Sequence, residues 1–197
     1  SGYVANNQRP TKEVRILRGL FSTYSLLNKA KTSMKNRIHG IRTAAGKKKD
    51  KKDKFSKKLI REMNKKGFDE VEWLQISLLL EQIKMLEIQI EKIKEKILSY
   101  SHVFKEKLEL LVSIPGISIF ISMAIMADIG DIENFENAKK LCSYLGIVPK
   151  SKESNGKKWY GKITKKGRKI TRSFLSQIIF HVINSNEAYK EFYAEKK

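Results

Sequence analysis

The residues whose types and spacing could do chemistry lie mostly in one segment, residues 150–172. It holds ten Lys and Arg side chains against Glu153 alone, and Trp159 and Tyr160 interrupt the charge. Cationic side chains neutralise phosphates and aromatic rings stack on unpaired bases, so this composition is typical of a nucleic-acid contact. The other interpretation is a solvated loop. The residues expected to bind nucleic acid are Lys157, Lys158, Trp159, Lys162, Lys165, Lys166, Arg168, Lys169 and Arg172.

Ser154, in the same segment, is a candidate nucleophile. It directly precedes Asn155 and Gly156, and lysines stand on both sides of this turn. A serine hydroxyl attacks phosphorus only when a base or a metal ion activates it, and nearby cations must stabilise the charge that develops. The alternative is a simple turn hydroxyl, which serines often provide. Ser151 is the competing serine.

Two well-known phosphate and metal motifs are not matched. Gly161 and Gly167 enclose five residues where a nucleotide-binding P-loop has four, and Arg168-Lys169 replaces its Lys-Ser/Thr pair. The histidines and the single cysteine have no zinc-ligand spacing, and we expect the cysteine to be a small core residue. These residues are His39, His102, His181 and Cys142.

Three carboxylates close to Gly130 could suggest a metal site. We expect them instead to form turns and helix caps, because aspartates are frequent in both. They are Asp128, Asp131 and Glu133. We therefore assign no metal ligand and no cofactor to this chain.

The whole chain is strongly basic, with 41 Lys and Arg against 21 Asp and Glu, a net charge of +20 and a pI near 9.9. This excess favours an acidic partner, with nucleic acid as the first candidate and an anionic membrane surface as the second. The longest apolar run, residues 117–127, is much shorter than the ~20 residues of a membrane-spanning helix, so no membrane insertion is expected. Because neither a secretory signal nor a cysteine pair is found, we expect a cytoplasmic location.

Hydrophobic periodicity predicts two long helices. Residues 13–41 have apolar positions at three- and four-residue steps, which indicates an amphipathic helix with a basic outer side. A lysine-rich stretch follows, either a linker or a phosphate contact. The next helix has a heptad seam, typical of a coiled coil, which we expect to pack on the first helix or on a second copy of the chain. The seam consists of Ile76, Leu79, Ile83, Leu86, Ile90, Ile93 and Ile97.

The C-terminal part begins with a tight turn at Pro115 and Gly116. A turn of this kind between two helices can present backbone N–H groups to a phosphate, so Gly116 is a further candidate nucleic-acid contact. A short helix over residues 138–147 precedes the basic segment. A last helix, with a possible break near residues 184–186, is expected to pack behind it.

Together these patterns predict a mainly α protein. We expect a long helical coiled-coil arm and a small helical C-terminal domain with a helix-hairpin-helix-like turn and a basic, glycine-containing loop or short hairpin. The expected domains are a lead-in with a basic amphipathic helix at 1–45, a lysine-rich linker at 46–66, the coiled-coil helix at 67–112 and the C-terminal domain at 113–197.

Residues 110–193 resemble the C-terminal domain of the insertion-sequence transposases related to the Piv DNA invertase. The resemblance rests on four ordered blocks: LVSIPGIS, MADIGDIENFENAKKLCSYLGIVP, ESNGK followed by GKITKKGRKITRSFL, and NEAYKEFY. The stretch RILRGLFSTYSLLNKAKTSMKNRIHGI is similar to the family's helix between its nuclease domain and its coiled coil. The similarity therefore covers nearly the whole chain.

The resemblance implies a mechanism and partners. In this family a RuvC-like DEDD nuclease domain works with a serine of the C-terminal domain, which Ser154 matches here. The metal-binding carboxylates would lie upstream of Ser1, so magnesium is expected only with that nuclease domain, and the chain alone is expected to be inactive. DNA and a structured guide RNA are the implied partners, and the heptad seam adds a homo-oligomer.

We therefore expect the DNA-binding part of a transposase or site-specific recombinase that cuts and joins DNA through a serine nucleophile. The alternative is a catalytically inactive nucleic-acid-binding remnant or a regulatory coiled-coil fragment. Whether the chain is an enzyme by itself stays open on the sequence. The resemblance implies a family that cuts and joins DNA, but it places the carboxylates that would activate the serine outside this chain.

Overall fold

A computed structural model describes residues 10–47, 67–154, 157–167 and 169–195. The described residues are mainly α-helical, which confirms the predicted fold class. Most of the predicted lead-in and of the lysine-rich linker lies outside them. In chain order the elements are α1 (Lys12–Ala44), α2 (Glu70–Leu98), a 3-10 helix (Ser101–Phe104), α3 (Lys105–Val112), α4 (Ile119–Ile129), a second 3-10 helix (Ile132–Asn134), α5 (Ala138–Leu145), β1 (Pro149–Ser154), β2 (Lys157–Ile163), α6 (Lys169–Asn184) and α7 (Glu187–Glu195).

Contacts divide the chain into two compact units. One unit consists of Ser1–Phe21 together with Lys96–Lys197, and the other is Ser22–Glu95. The helices α1 and α2 therefore contribute residues to both units. The four domains expected from the sequence stay a prediction.

The unit Ser22–Glu95 is held together by apolar contacts between α1 and α2. Its buried residues are Ile38 and Ile41 of α1 and Ile76 and Ile83 of α2. Burial of each such side chain contributes roughly 2 kcal/mol to the free energy of folding. The apolar faces of α1 and α2 therefore stabilise each other's packing. Part of the predicted heptad seam thus packs on the first helix, one of the two partners expected for it.

The α2 helix also has apolar residues on its exposed side. Within the described residues its seam positions Ile76, Ile83, Leu86 and Ile90 are buried. A second set of large apolar side chains, at three- to seven-residue intervals, is exposed to solvent. These side chains are Val71, Leu74, Leu78, Met85 and Ile88.

A capping box fixes the first turn of α2. The backbone N–H of Glu72 donates to Oδ1 of Asp69 at 2.7 Å, and the N–H of Asp69 donates to Oε2 of Glu72 at 3.1 Å. Two helix-end donors are thereby satisfied by side chains, as in other capping boxes.

In the other unit the central element is α4, which is mostly apolar and is buried continuously from Ser122 to Asp128. A helix of this kind must be covered all round by neighbours. Phe120 of α4 contacts the ring of Phe21 at 5.2 Å and the ring of Phe174 at 5.9 Å, which joins α1, α4 and α6. Ile117, before α4, packs with residues of α4 and α6 in the same core.

Asp128, at the end of α4, positions the start of α6. Its carboxylate is buried, and Oδ2 accepts a hydrogen bond of 3.0 Å from the backbone N–H of Thr171. The hydroxyl of Thr171 in turn donates to the carbonyl oxygen of Ala124 at 3.2 Å. A carboxylate is favourable here because the first turn of a helix has unsatisfied N–H groups and a partial positive charge.

The same end of α4 receives two further donors. Arg18 of α1 donates from Nε to the carbonyl oxygen of Ala127 at 2.7 Å and from Nη2 to that of Asp128 at 3.2 Å. Tyr144 of α5 donates its hydroxyl proton to the same Asp128 carbonyl at 3.0 Å. Two elements, α1 and α5, are therefore tied to the carbonyls at the end of α4, beside the contact of α6 with the Asp128 carboxylate.

Of the three carboxylates near Gly130, Asp131 has a local cap contact of the kind expected from the sequence. Asp131 caps the second 3-10 helix, accepting from the N–H of Glu133 at 3.4 Å, and it also accepts from Nζ of Lys107 at 3.1 Å. The part of the chain that the structure describes contains no cluster of three or more His, Cys, Asp or Glu side chains that could hold a metal ion. None of the described helices is both long and apolar enough to cross a membrane.

Candidate nucleic-acid interface

The basic segment folds as an antiparallel hairpin of β1 and β2. Its register places Ser154 opposite Lys157 and Lys152 opposite Trp159. The ladder is irregular between Pro149 and Ser151, so β2 has one residue more than its partner over that stretch. Residues 155–156, between the strands, lie outside the described residues. We call residues 149–167, the two strands with the loop that follows, the basic hairpin.

Backbone contacts anchor the base of the basic hairpin to the end of α5. The N–H of Thr164 donates to the carbonyl oxygen of Val148 at 2.9 Å, and the N–H of Lys165 donates to that of Gly146 at 3.0 Å. Gly146 ends α5 in the left-handed conformation, with φ of 68°. The loop 164–167 is therefore fixed at two points to the preceding helix.

Gly167 and Gly146 approach each other too closely for side chains. A Cβ atom on Gly146 would lie 2.6 Å from the backbone nitrogen of Gly167. A Cβ atom on Gly167 would overlap the carbonyl oxygen of Tyr144. Gly167 is thus required for close packing, because only a residue without a Cβ fits at this contact.

Arg172 of α6 closes the same junction. Its Nη1 donates to the carbonyl oxygen of Leu145 at 3.0 Å and to that of Gly167 at 3.2 Å. Cations near the end of a helix are stabilised by its last carbonyls, so the guanidinium holds α5, the loop and α6 together. The structure thus gives Arg172 a packing role. Its predicted contact with nucleic acid stays a prediction.

Lys165 has a strained backbone. Its φ is 57°, and no other described non-glycine residue has a positive φ. The left-handed conformation costs a residue with a Cβ about 1–2 kcal/mol, and it persists here because the hydrogen bond to Gly146 and the Gly146–Gly167 contact fix the loop.

Most of the sequence-predicted contacts for which the structure describes side chains are exposed. Trp159 is 65% exposed. The four exposed lysines make no ion pair or side-chain hydrogen bond with another described residue, and they are Lys162, Lys165, Lys166 and Lys169. Four positive charges thus lie within eight residues of sequence, with no acidic partner among the described side chains.

Other predicted site residues are only partly described. The structure gives the backbone of Ser154, Lys157 and Lys158 but not their side chains, and Arg168 lies outside the described residues. For Ser154 the observation is its position at the end of β1, opposite Lys157. Its role as a nucleophile and the roles of these cations stay predictions.

The predicted turn at Pro115 and Gly116 joins α3 to α4. Gly116 has φ of 85°, and a Cβ atom there would lie 3.1 Å from Cβ of His181 in α6. Ser118 caps α4, since its Oγ accepts from the N–H of Ile121 at 3.4 Å. Gly116 is therefore needed for the turn and for its packing on α6, and a phosphate contact there stays a prediction.

The Asp128–Thr171 contact was missed by sequence reasoning, which expected Asp128 to act in a turn or helix cap close to Gly130. A partial signal was present, because an aspartate in an otherwise apolar helix must find a buried hydrogen-bond donor. The donor itself is 43 residues away, and no local pattern identifies it.

Comparison with known proteins relates the part of the chain that contains this site to transposases. Residues 108–194 match the model of the family described as Transposase IS116/IS110/IS902 family. The chain is 29% identical over 79 residues to the transposase for insertion sequence element IS1111A of Coxiella burnetii, with 38% of this chain and 22% of that protein aligned. It is 26% identical over 98 residues to a probable family 20 transposase of Pseudomonas aeruginosa, with 49% of this chain and 28% of that protein aligned.

The chain thus spans less than a third of the length of each of these two relatives. The matched residues include α4, the basic hairpin and α6. These comparisons support a relationship between this chain and the insertion-sequence transposases.

Proposed function

We propose that this chain is the nucleic-acid-binding part of an insertion-sequence transposase and that the basic hairpin, with the start of α6, holds a DNA backbone. The observation that carries the proposal is a set of exposed lysines on the anchored basic hairpin and at the start of α6, with no acidic partner among the described side chains, together with the exposed Trp159. The family match over residues 108–194 supports DNA as the acidic partner.

The lysines suit a phosphate backbone because of where they lie. Lys162 is in β2, Lys165 and Lys166 are in the anchored loop, and Lys169 begins α6. Each phosphate that a lysine neutralises releases condensed counterions, so several such contacts give tight binding that weakens steeply with salt. Fixing the loop before binding lowers the entropy that binding costs.

A salt titration tests this proposal. Replacing Lys162 and Lys166 by Gln should make the slope of log affinity against log salt shallower by about 1.8 on a short DNA duplex, since each lost phosphate contact removes about 0.9. The control replaces Lys84 and Lys92 of α2 by Gln, which removes the same charge elsewhere and should leave the slope nearly unchanged. Equal slopes for both double variants would count against the basic hairpin as the interface.

We propose further that Ser154 is the nucleophile of the complete transposase. Three points support this role: the resemblance to a family with a serine at this turn, the position of Ser154 at the end of β1, and the register that puts Lys157 opposite it. The family resemblance implies that the divalent metal belongs to a separate nuclease domain, and the described residues contain no cluster of metal ligands. In this chain Ser154 would supply the attacking oxygen and the lysines would hold the phosphate.

The test uses the transposase with its nuclease domain, DNA, guide RNA and magnesium. A covalent protein–DNA adduct should form, and Ser154→Ala should abolish it while changing affinity only slightly, because one hydroxyl is lost and the lysines remain. Ser151→Ala is the matched control and should keep the adduct. An adduct that survives Ser154→Ala rules out this nucleophile, and no adduct in any variant favours the inactive nucleic-acid-binding alternative.

We propose that the chain forms a homo-oligomer through α2. Because seam residues such as Ile76 and Ile83 are buried with residues of α1, the exposed apolar side of α2 is the better candidate surface. Regularly spaced apolar residues on an exposed helix face are typical of helix–helix association. A structured guide RNA remains the further partner that the family resemblance implies, and it would compete with DNA for the same cations.

A further inference from the structure

The indole of Trp159 has no structural role visible among the described residues. It is 65% exposed although it stands inside β2, and the described sheet has two strands only. Exposed apolar side chains are common on protein surfaces, but an exposed indole close in sequence to exposed lysines is an aromatic face that a nucleic acid can use.

Two kinds of nucleic-acid contact are open to a basic two-stranded ribbon. It can enter the major groove of a duplex and read base edges, or it can bind an unpaired strand by stacking. Readers of base edges use side chains with paired donors and acceptors or bidentate cations. An indole has one donor and no acceptor, so Trp159 suits the first kind poorly.

An indole suits the second kind well. Every base has a π face, but in a duplex that face is covered by the neighbouring base pairs. Only an unpaired or splayed base can stack on a side chain at the protein surface. The chemistry of Trp159 therefore selects an unpaired nucleotide over an intact duplex.

The cations that follow Trp159 can hold the strand beside that base. Lys162 is three residues further along β2, about 10 Å away at the rise of a strand. In a regular strand this odd spacing would put the two side chains on opposite faces, but the extra residue of β2 between Tyr160 and Ile163 offsets the alternation. Lys165 and Lys166 follow in the loop that is fixed to Gly146. A stacked base and the neighbouring phosphates would thus meet an aromatic ring and then a row of charges, an arrangement typical of single-strand grooves.

We propose that Trp159 and the lysines after it form a subsite for an unpaired nucleotide, with the indole stacked on the base and Lys162 in contact with a neighbouring phosphate. This inference rests on the proposed function, because it assumes that the basic hairpin binds nucleic acid. It adds a preference for substrates that contain unpaired bases.

The experiment compares three probes of equal length: oligodeoxythymidine, oligouridine and a blunt DNA duplex. Trp159→Ala should lower affinity for the unpaired probes by about 5- to 150-fold, the range expected for the loss of one stacking contact. Affinity for the duplex should change less than about twofold, and the salt slope should stay the same because the lysines are intact. Comparison of oligodeoxythymidine with oligouridine shows whether the subsite prefers unpaired DNA or unpaired RNA.

Two further variants separate stacking from folding. Trp159→Phe keeps an aromatic ring and should recover most of the affinity for unpaired probes. Phe180→Ala removes a comparably exposed ring, 62% exposed on α6, and should leave all three affinities unchanged. Trp73 is the other tryptophan, so the fluorescence quenching caused by an unpaired probe should disappear in Trp159→Phe while binding continues.

The outcomes distinguish this inference from the proposed function. Equal losses on paired and unpaired probes in Trp159→Ala, or no loss on either, would overturn the unpaired-base subsite and leave the basic hairpin as a duplex-binding surface. Failure of the unaltered chain to bind any probe in a salt-dependent way would overturn the proposed function and this inference with it.

Discussion

Individual residues at the junction of α5, the basic hairpin and α6 decide how rigidly the proposed interface is held. Gly167 lies against the backbone of Tyr144 and Leu145, and Arg172 donates to carbonyl oxygens on both sides of the contact. Neither role can be read from sequence composition, in which both residues belong to a basic, glycine-containing segment. Both residues contact backbone atoms at the end of α5, which lie more than 20 positions earlier in the chain, and such contacts leave no periodic pattern.

Gly167→Ala is therefore expected to destabilise the fold. The added Cβ would overlap the carbonyl oxygen of Tyr144, and relieving such overpacking costs roughly 1–3 kcal/mol. Gly161→Ala is the matched control, because its Cβ would lie 3.7 Å from the carbonyl oxygen of Lys150 at ordinary contact distance. Thermal unfolding followed by circular dichroism measures both, and equal midpoints would contradict the close packing described for Gly167.

Asp131 gives a second test at this scale. The hydrogen bond from Lys107, supported by the N–H of Glu133, holds the pKa of the Asp131 carboxyl below its ordinary value of 3.8. A carboxyl whose pKa is lowered by folding contributes stability above its unfolded pKa, and that contribution is lost as pH falls through the folded pKa. The effect is small because the pair is exposed and screened by solvent.

The prediction is that Lys107→Met raises the pKa of Asp131 towards its ordinary value. Titration of the side-chain carboxyl by NMR measures the shift directly. Lys105→Met, which removes an equal charge from the same helix, should change the pKa much less. A pKa that is the same in Lys107→Met and in the unaltered chain would contradict the contact.

At the scale of elements, the helices follow from hydrophobic periodicity. The sequence predicted α1, α2, α5 and a break in the last helix near residues 184–186, where α6 ends at Asn184 and α7 begins at Glu187. The hairpin was left open as a loop or a short hairpin. Asn155-Gly156 between two short runs is a recognised signal for a two-residue hairpin turn and would have favoured the strands.

Other parts of the fold could not be predicted from local patterns. The capping of α6 by Asp128 and the contacts of Arg18 with the end of α4 join residues 43 and more than 100 positions apart. Periodicity also indicated the seam on α2 but left its partner open. Which partner a stripe meets depends on the tertiary arrangement, which spacing alone does not determine.

A matched pair of substitutions on α2 separates its two apolar sides. Ile83→Asp should lower helicity and thermal stability, because Ile83 is buried among residues of α1 and an unpaired charge there costs about 3 kcal/mol or more. Leu78→Asp should leave stability almost unchanged, since Leu78 is 54% exposed, but should dissociate an oligomer held by the exposed side.

Circular dichroism measures the helicity and thermal stability of both variants, and sedimentation measures their mass in solution. A stable Ile83→Asp variant would contradict the packing of α1 on α2. A mass that is unchanged by Leu78→Asp, whether monomeric or oligomeric in both proteins, would contradict the proposed association through the exposed side of α2.

For the whole molecule, net charge narrowed the choice of partner more than any single motif. A charge of +20 favoured nucleic acid, and the match of residues 108–194 to a transposase family supports that choice independently. Charge alone did not indicate which surface is used, because lysines occur in nearly every part of the chain. Among the described side chains, the structure separates lysines that have an acidic partner, such as Lys31 with Glu87 and Lys107 with Asp131, from Lys162, Lys165 and Lys166 of the basic hairpin, which have none.

Mapping of lysine reactivity tests the central claim most directly. The full chain is acetylated briefly with and without DNA, and the modified lysines are quantified by mass spectrometry. DNA should protect Lys162, Lys166 and Lys169 several-fold, while Lys84 and Lys92 on α2 keep their reactivity. Uniform protection across all of these lysines, or protection of the α2 pair alone, would contradict the assignment of the nucleic-acid interface to the basic hairpin.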